Sequence, residues 1–143
     1  MAMIGRFETS IQDFDFKPFV VGGRIVRNQV VIQGDIVWVS SEGIRIVVKN
    51  GYVCNLASFI ISGIFFFKLG RQQRASALHD NMYDTKPGSR EWCDKQYLEA
   101  MEYDQVSPFK RWLIHLVVSV GGERNWRDAI APVYVDNEPE LFI

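Results

Sequence analysis

A histidine, an aspartate and a tyrosine stand close together in the stretch Ala75-Ser-Ala-Leu-His-Asp-Asn-Met-Tyr83. If this stretch is helical, His79 and Tyr83 are four apart and share a face. A second acidic residue, Asp94, follows in the next helical segment, Arg90 to Tyr103. No other part of the chain gathers polar side chains in a pattern that chemistry would use. A neutral imidazole with one nitrogen held by a carboxylate takes up a proton near pH 7, so His79 with Asp94 is a candidate general base. The same groups suit a divalent cation, with His79, Asp80 and Asp94 as donors and Asn55 or Asp84 beside them. Adjacent residues such as His79 and Asp80 point some 100° apart on a helix, which works against both serving one centre. A third reading is structural: a histidine on one helix bonded to a buried aspartate on the next pins the two helices together. Arg90 then completes the network as the i,i+4 partner of Asp94.

These side chains need elements to hold them. Residues 4 to about 53 read as short strands at roughly ten-residue spacing. Gly22-Gly23, Ser40-Ser-Glu-Gly43 and Asn50-Gly51 mark the turns, so an antiparallel β-meander is expected. The character changes at Cys54, where Asn55-Leu-Ala-Ser58 reads as a loop leaving the sheet. Three helices are predicted beyond Gly70, over about 73–84, 90–103 and 108–120. Ala75, Leu78 and Met82 supply helical spacing in the first, and Ser89 is the N-cap of the second. Pro108 opens the third and Gly121-Gly122 ends it, with a broad apolar face of Trp112, Leu113, Leu116, Val117 and Val120. Strands followed by helices give the class α+β. The chain is expected to form a single domain over 1–143, strand-rich to residue 55, helical over 70–126, with a tail over 127–143.

Composition sets the outer limits. The 143 residues are 48% hydrophobic and 23% charged, an ordinary globular balance. The net charge is −1 and the basic residues are scattered, which argues against a nucleic-acid binder. Arg71-Gln-Gln-Arg74 reads as a solvated face. Cys54 and Cys93 lie in no CxxC or CxxH pattern and are expected to be reduced thiols rather than zinc ligands. The most apolar run, Leu56 to Leu69 with Phe59 to Phe67 inside it, is too short to span a membrane, which needs about 20 residues. It reads as a buried segment or as a patch that touches a membrane. His115 is expected to be a partly buried structural histidine. Trp38, Trp92, Trp112 and Trp126 read as core or interface anchors, and the acidic Asp136 to Glu140 as a terminal strip.

Val53-Cys-Asn-Leu-Ala-Ser-Phe59, Ala77-Leu-His-Asp-Asn-Met-Tyr83, Ser89-Arg-Glu-Trp-Cys-Asp94 and Trp112 to Trp126 together carry a resemblance. Over about residues 35–126 the chain resembles the phage and prophage family catalogued as domain of unknown function 1353. Members of that family show a Thr-Asp-Leu-Ala-Ser-Ile/Val-Pro loop, a His-Asp-x-x-Tyr helix and an Arg-x-x-x-Asp helix. Here the loop's Thr-Asp is Cys54-Asn55 and the proline after Ser58 is missing. Asparagine does not carry the charge of aspartate, so a cation-binding or basic role at position 55 is weakened. The resemblance implies a phage or prophage gene, near tail or lysis genes.

The helix pair is also similar to the core of secreted and viral phospholipases of the A-two type. That likeness implies His79 as the base, Asp94 as its orienting partner and Asp80 as a ligand of a divalent cation such as calcium. On that likeness Tyr83 would be a support; apart from it, Arg90 and Ser58 are further candidate supporting residues and Asn55 a candidate metal ligand. The Gly-rich calcium loop and flanking disulfides of those enzymes are absent.

The leading expectation is a phage-encoded virion- or tail-associated or assembly protein, with a structural His-Asp network. Its partners would be phage structural proteins or further copies of itself. It would be made in the host bacterial cytoplasm and incorporated in the virion. The alternatives are a small envelope-directed hydrolase with His79 as base, and a host-takeover or anti-defence binding protein.

Overall fold

The computed structural model describes residues 4–55, 73–129 and 131–135; of Arg27, Asn28 and Asn55 it describes the backbone alone. Phe59–Phe67, Ser58 and the acidic strip from Asp136 therefore lie outside the described residues. The class is α+β, with antiparallel strands first and helices after.

The strands are β1 (Arg6–Phe7), β2 (Asp15–Val21), β3 (Arg24–Gln33), β4 (Ile36–Val39), β5 (Arg45–Val48) and β6 (Val53–Asn55). They divide into two three-stranded sheets, ordered β1-β4-β5 and β2-β3-β6. The β2–β3 hairpin turns at Gly22 and Gly23, both at positive φ, and pairs Val21 with Arg24. Pro18 cannot donate to a ladder and is tolerated because β2 lies at a sheet edge. β6 adds to the other side of β3, with Val31 opposite Val53. In the β1-β4-β5 sheet β4 is central and every residue of Ile36–Val39 is buried, as a strand covered on both faces must be.

The helices are α1 (Gln73–Thr85), α2 (Arg90–Tyr103), α3 (Pro108–Gly121) and a short α4 (Glu123–Asp128). Ser89 caps α2, its Oγ accepting from the Trp92 amide at 3.1 Å. α1 and α2 form an antiparallel hairpin, since Arg74 meets Asp104 at one end and His79 meets Asp94 toward the other. α1 buries most of its surface, with Ala75, Ala77, Leu78 and Met82 inside. The core joins these residues to Trp38, Ile36, Val48 and Tyr52 from the strands and to Tyr97, Ala100 and Met101 from α2. Among the described residues no helix is long and apolar enough to cross a membrane.

Two expectations are corrected. Arg74 is not on a solvated face: it is 5% exposed, and its guanidinium makes a two-pronged contact with the Asp104 carboxylate. It also donates to the Thr9 carbonyl at 2.8 Å and lies 3.8 Å over the Phe7 ring. Helix α3 buries Ile114 and Val118, whereas Trp112, Leu116 and Val120 stand in solvent. Apolar residues surround this helix on nearly all sides, so periodicity alone did not say which arc would dock.

The segment read as a tail is partly folded. Val53 donates to the Val133 carbonyl at 2.9 Å and Val135 donates to that of Gly51 at 2.8 Å. Tyr52 and Tyr134 thus pair as an isolated antiparallel bridge. Gly51, at φ +93°, brings its backbone so close to the Val135 carbonyl that a Cβ would collide with it.

Candidate functional site

The centre of the site is Asp94, held 3% exposed in the first half of α2. Its Oδ1 accepts two hydrogen bonds, from the Tyr83 hydroxyl at 2.7 Å and from His79 Nε2 at 2.8 Å. Its Oδ2 lies 3.8 Å from Arg90 Nη1. Arg90 also reaches the last carbonyls of α3, those of Val118 and Ser119, at 3.4 and 3.3 Å. Four of the sequence-predicted residues, His79, Tyr83, Arg90 and Asp94, thus meet around one carboxylate.

Two aromatic rings pack against the ring of His79. Tyr97 stacks on it with centroids 4.4 Å apart, and Tyr83 lies against it at 4.3 Å. The Tyr97 hydroxyl is in turn 2.7 Å from Ser76 Oγ. Burial lowers the His79 pKa, against the opposing pull of Asp94, so the ring is neutral at pH 7. A neutral ring facing a carboxylate carries its proton on Nε2. Nδ1 then holds a lone pair, and it makes no hydrogen bond among the described residues. Burial and the bond to Asp94 both push the Tyr83 phenol above its usual value, keeping it a donor.

His79 lines a cavity of about 340 Å³, together with Asp80, Tyr83, Asp84, Asn125 and Asp128 among others. Phe19, Val53, Val117, Val118 and Val133 form apolar walls. The Gly121-Gly122 end of α3 is also part of the lining. A Cβ on Gly122 would stand 2.7 Å from the Tyr83 hydroxyl, so this position has no room for a side chain.

Asp80 turns away from Asp94, as the 100° step between neighbours on a helix requires. It reaches a second centre that the sequence did not disclose. The Tyr52 hydroxyl lies 2.7 Å from Asp84 Oδ2 and 3.1 Å from Asp80 Oδ2. With one hydrogen to give, it serves the nearer carboxylate most strongly. Burial raises the Asp84 pKa, opposed by the bond from Tyr52. Burial, reinforced by Asp80, pushes the Tyr52 phenol far above its usual value. The only sequence signal for this pair was Asp84 standing four residues after Asp80; nothing local pointed to Tyr52.

As a metal site this second centre is incomplete: the described residues contain no set of three or more His, Cys, Asp or Glu placed to hold an ion. Asp80 and Asp84 could serve as two donors, while the side chain of Asn55 lies outside the described residues. Cys54 and Cys93 are both free and buried. Burial raises both thiols, Cys93 to about 12, which leaves them protonated and poor nucleophiles. His115, on α3, is half-buried.

Residues 30–118, more than half of the chain, match the model of the family described as protein of unknown function (DUF1353), and the chain belongs to that family. The matched segment contains the whole His79–Asp94 centre and stops short of Gly121, Asn125, Asp128 and Val133 on the cavity wall. No curated protein and no solved structure matches the chain.

Proposed function

We propose, from the premise of membership in this family, that the chain is a small hydrolase in which His79 activates water. The observation that carries the reading is the unshared Nδ1 of a histidine whose other nitrogen is bound to Asp94. A histidine kept only to pin helices would have both nitrogens satisfied, since buried polar atoms in native folds nearly always find partners. Here one nitrogen is held and the other belongs to a residue that lines a cavity.

The chemistry follows from the geometry. Nδ1 removes a proton from a cavity water as the water oxygen attacks a carboxyl ester carbon. Asp94 stabilises the imidazolium that forms, and Tyr83 and Arg90 hold Asp94 in place. The imidazolium then returns the proton to the departing alcohol oxygen, leaving acid and alcohol. The chain would be a phage-encoded enzyme directed at the host envelope.

The test is hydrolysis of short carboxyl esters by the purified chain and by His79→Asn. Loss of a positioned base lowers kcat/KM by about 10²–10⁴-fold. Unchanged far-ultraviolet circular dichroism would show that the variant still folds. A wild-type chain inert to every ester, or a fully active His79→Asn, sinks the reading.

One observation favours a second reading, a virion- or tail-associated assembly protein made in the host cytoplasm. Phe109, Trp112, Leu116 and Val120 form an exposed apolar stripe along α3, from 42% to 78% open to solvent. Stripes of this kind mark protein contacts. Its test is the composition of particles grown with a Trp112→Asp/Val120→Asp variant; incorporation at the wild-type level would refute it.

A further inference from the structure

The cavity's lining indicates what kind of molecule it takes, and this inference rests on the hydrolase reading for its catalytic arm alone. Three carboxylates line it, those of Asp80, Asp84 and Asp128, and no lysine or arginine does so among the described residues. Two aromatic rings, Phe19 and Tyr83, share the wall with them. Arg90 stands behind Asp94, occupied with the α3 carbonyls and with that carboxylate. Asp128 is partly compensated at the surface by Arg124 and Arg127, at 3.8 and 3.9 Å. Asp84 is half-buried, with the Tyr52 hydroxyl as its hydrogen-bond donor. The nearly buried His79, its Nδ1 without a partner, completes the lining.

Aromatic rings with carboxylates and apolar walls form the combination that receives an organic cation. The ring faces attract the positive charge, the carboxylates balance it and the alkyl walls cover its methyl groups. The same lining repels a phosphate or a free carboxylate. A volume near 340 Å³ lies at the small end of ligand pockets, which run from about 300 to 1,000 Å³. A short ester fits such a space and a two-chain lipid does not.

We propose that the cavity beside His79 binds an organic ammonium group, and that the substrate is a short carboxyl ester whose alcohol portion carries that charge. The carboxylates hold the cationic end, and the ester carbonyl lies toward His79.

Two measurements test this separately. The first is calorimetric titration with butyltrimethylammonium, the uncharged 3,3-dimethylbutanol and the anion butanesulfonate, using the whole chain. The ammonium should bind at least tenfold more tightly than the alcohol, and the sulfonate should not bind. Asp84→Asn and, independently, Asp128→Asn should each weaken ammonium binding about threefold or more. The Asp128 side chain is 64% exposed, so its replacement keeps the test open if Asp84→Asn fails to fold.

The second is hydrolysis of butyrylcholine against its neutral isostere 3,3-dimethylbutyl butyrate. A roughly tenfold higher kcat/KM for the cationic ester is expected. Ammonium binding without any ester cleavage would uphold the cation site and sink the hydrolase. Cleavage without preference for the cation would do the reverse. Equal binding of all three probes, or tight calcium binding lost in Asp84→Asn together with a preference for anionic esters, would overturn the proposal.

Discussion

Two of the buried polar contacts between helices α1 and α2 pair a basic side chain with an aspartate, to different ends. At one end Arg74 meets Asp104; nearer the other, His79 meets Asp94. The first contact is closed. Arg74 gives a 2.7 Å bond from Nε to Asp104 Oδ2, a second from Nη2 to Oδ1 and a third to the Thr9 carbonyl, with Phe7 under its plane. It does not line the cavity. The second contact is open, because among the described residues His79 bonds through one nitrogen only, and the residue borders the cavity. An arginine is permanently charged and suits a fixed fastening. A histidine of lowered pKa is neutral and can accept a proton. The comparison separates a fastening from a site by what each leaves unsatisfied.

The largest expected effect comes from breaking the closed contact. Arg74→Met leaves Asp104 buried without its cation and should cost about 3–5 kcal/mol. Urea unfolding monitored by tryptophan fluorescence would measure it. A loss below about 1 kcal/mol would show that the two contacts are not so different. Asp94→Asn should have the opposite profile. Its neutral amide cannot stabilise an imidazolium, so ester hydrolysis should fall by at least about 10²-fold, and the unfolding midpoint should move less than in Arg74→Met.

Gly122→Ala should destabilise by about 1–3 kcal/mol, the usual cost of forcing extra atoms into a packed place. It should also lower activity through displacement of the Tyr83 hydroxyl, read as a fall in kcat with little change in KM. Tyr83→Phe should cost about 1 kcal/mol, the net worth of one buried hydrogen bond.

The smallest expected effect is the pH dependence of stability. The His79 pKa is lowered below its ordinary 6.5. Between those values the unfolded chain binds a proton that the folded chain does not. Stability from this group is therefore complete above pH 6.5 and is lost as pH falls through the lowered value. Asp84, raised above 3.8, acts in the opposite sense: its contribution is complete below that value and is lost as pH rises through the raised one. Urea midpoints at pH 7.5 and 5.5 should show a decline in the wild type. His79→Asn should abolish the histidine's share of that decline.

Much of the helical half was legible in the residues. Apolar spacing and the Ser89 cap located α1, α2 and α3 to within a residue of their observed ends. The strand turns at Gly22-Gly23 and Asn50-Gly51 were equally plain. Arg74 was misread because it follows Arg71-Gln-Gln. Its position four residues before Leu78 places it on the buried stripe of α1, and that spacing was the available clue. The Tyr52–Asp84 contact spans 32 residues and the Val133 wall is added by the chain's end; no local pattern announces either. The stripe of α3 was legible as apolar, but which arc is covered depends on docking, and Arg90 at the α3 carbonyls is part of that docking.

By itself the sequence determined the three long helices, though not the short α4, and that His79, Tyr83 and Asp94 were the groups to watch. It also determined that His79 and Asp80 diverge, because backbone periodicity is a short-range property. Only the tertiary structure decided that Asp94 takes both His79 and Tyr83 on one oxygen, and that Asp80 goes to Tyr52. It also decided that His79, bonded through Nε2 alone among the described residues, lines a cavity. Those outcomes depend on how distant elements pack, and packing is settled by the whole core rather than by any stretch of it.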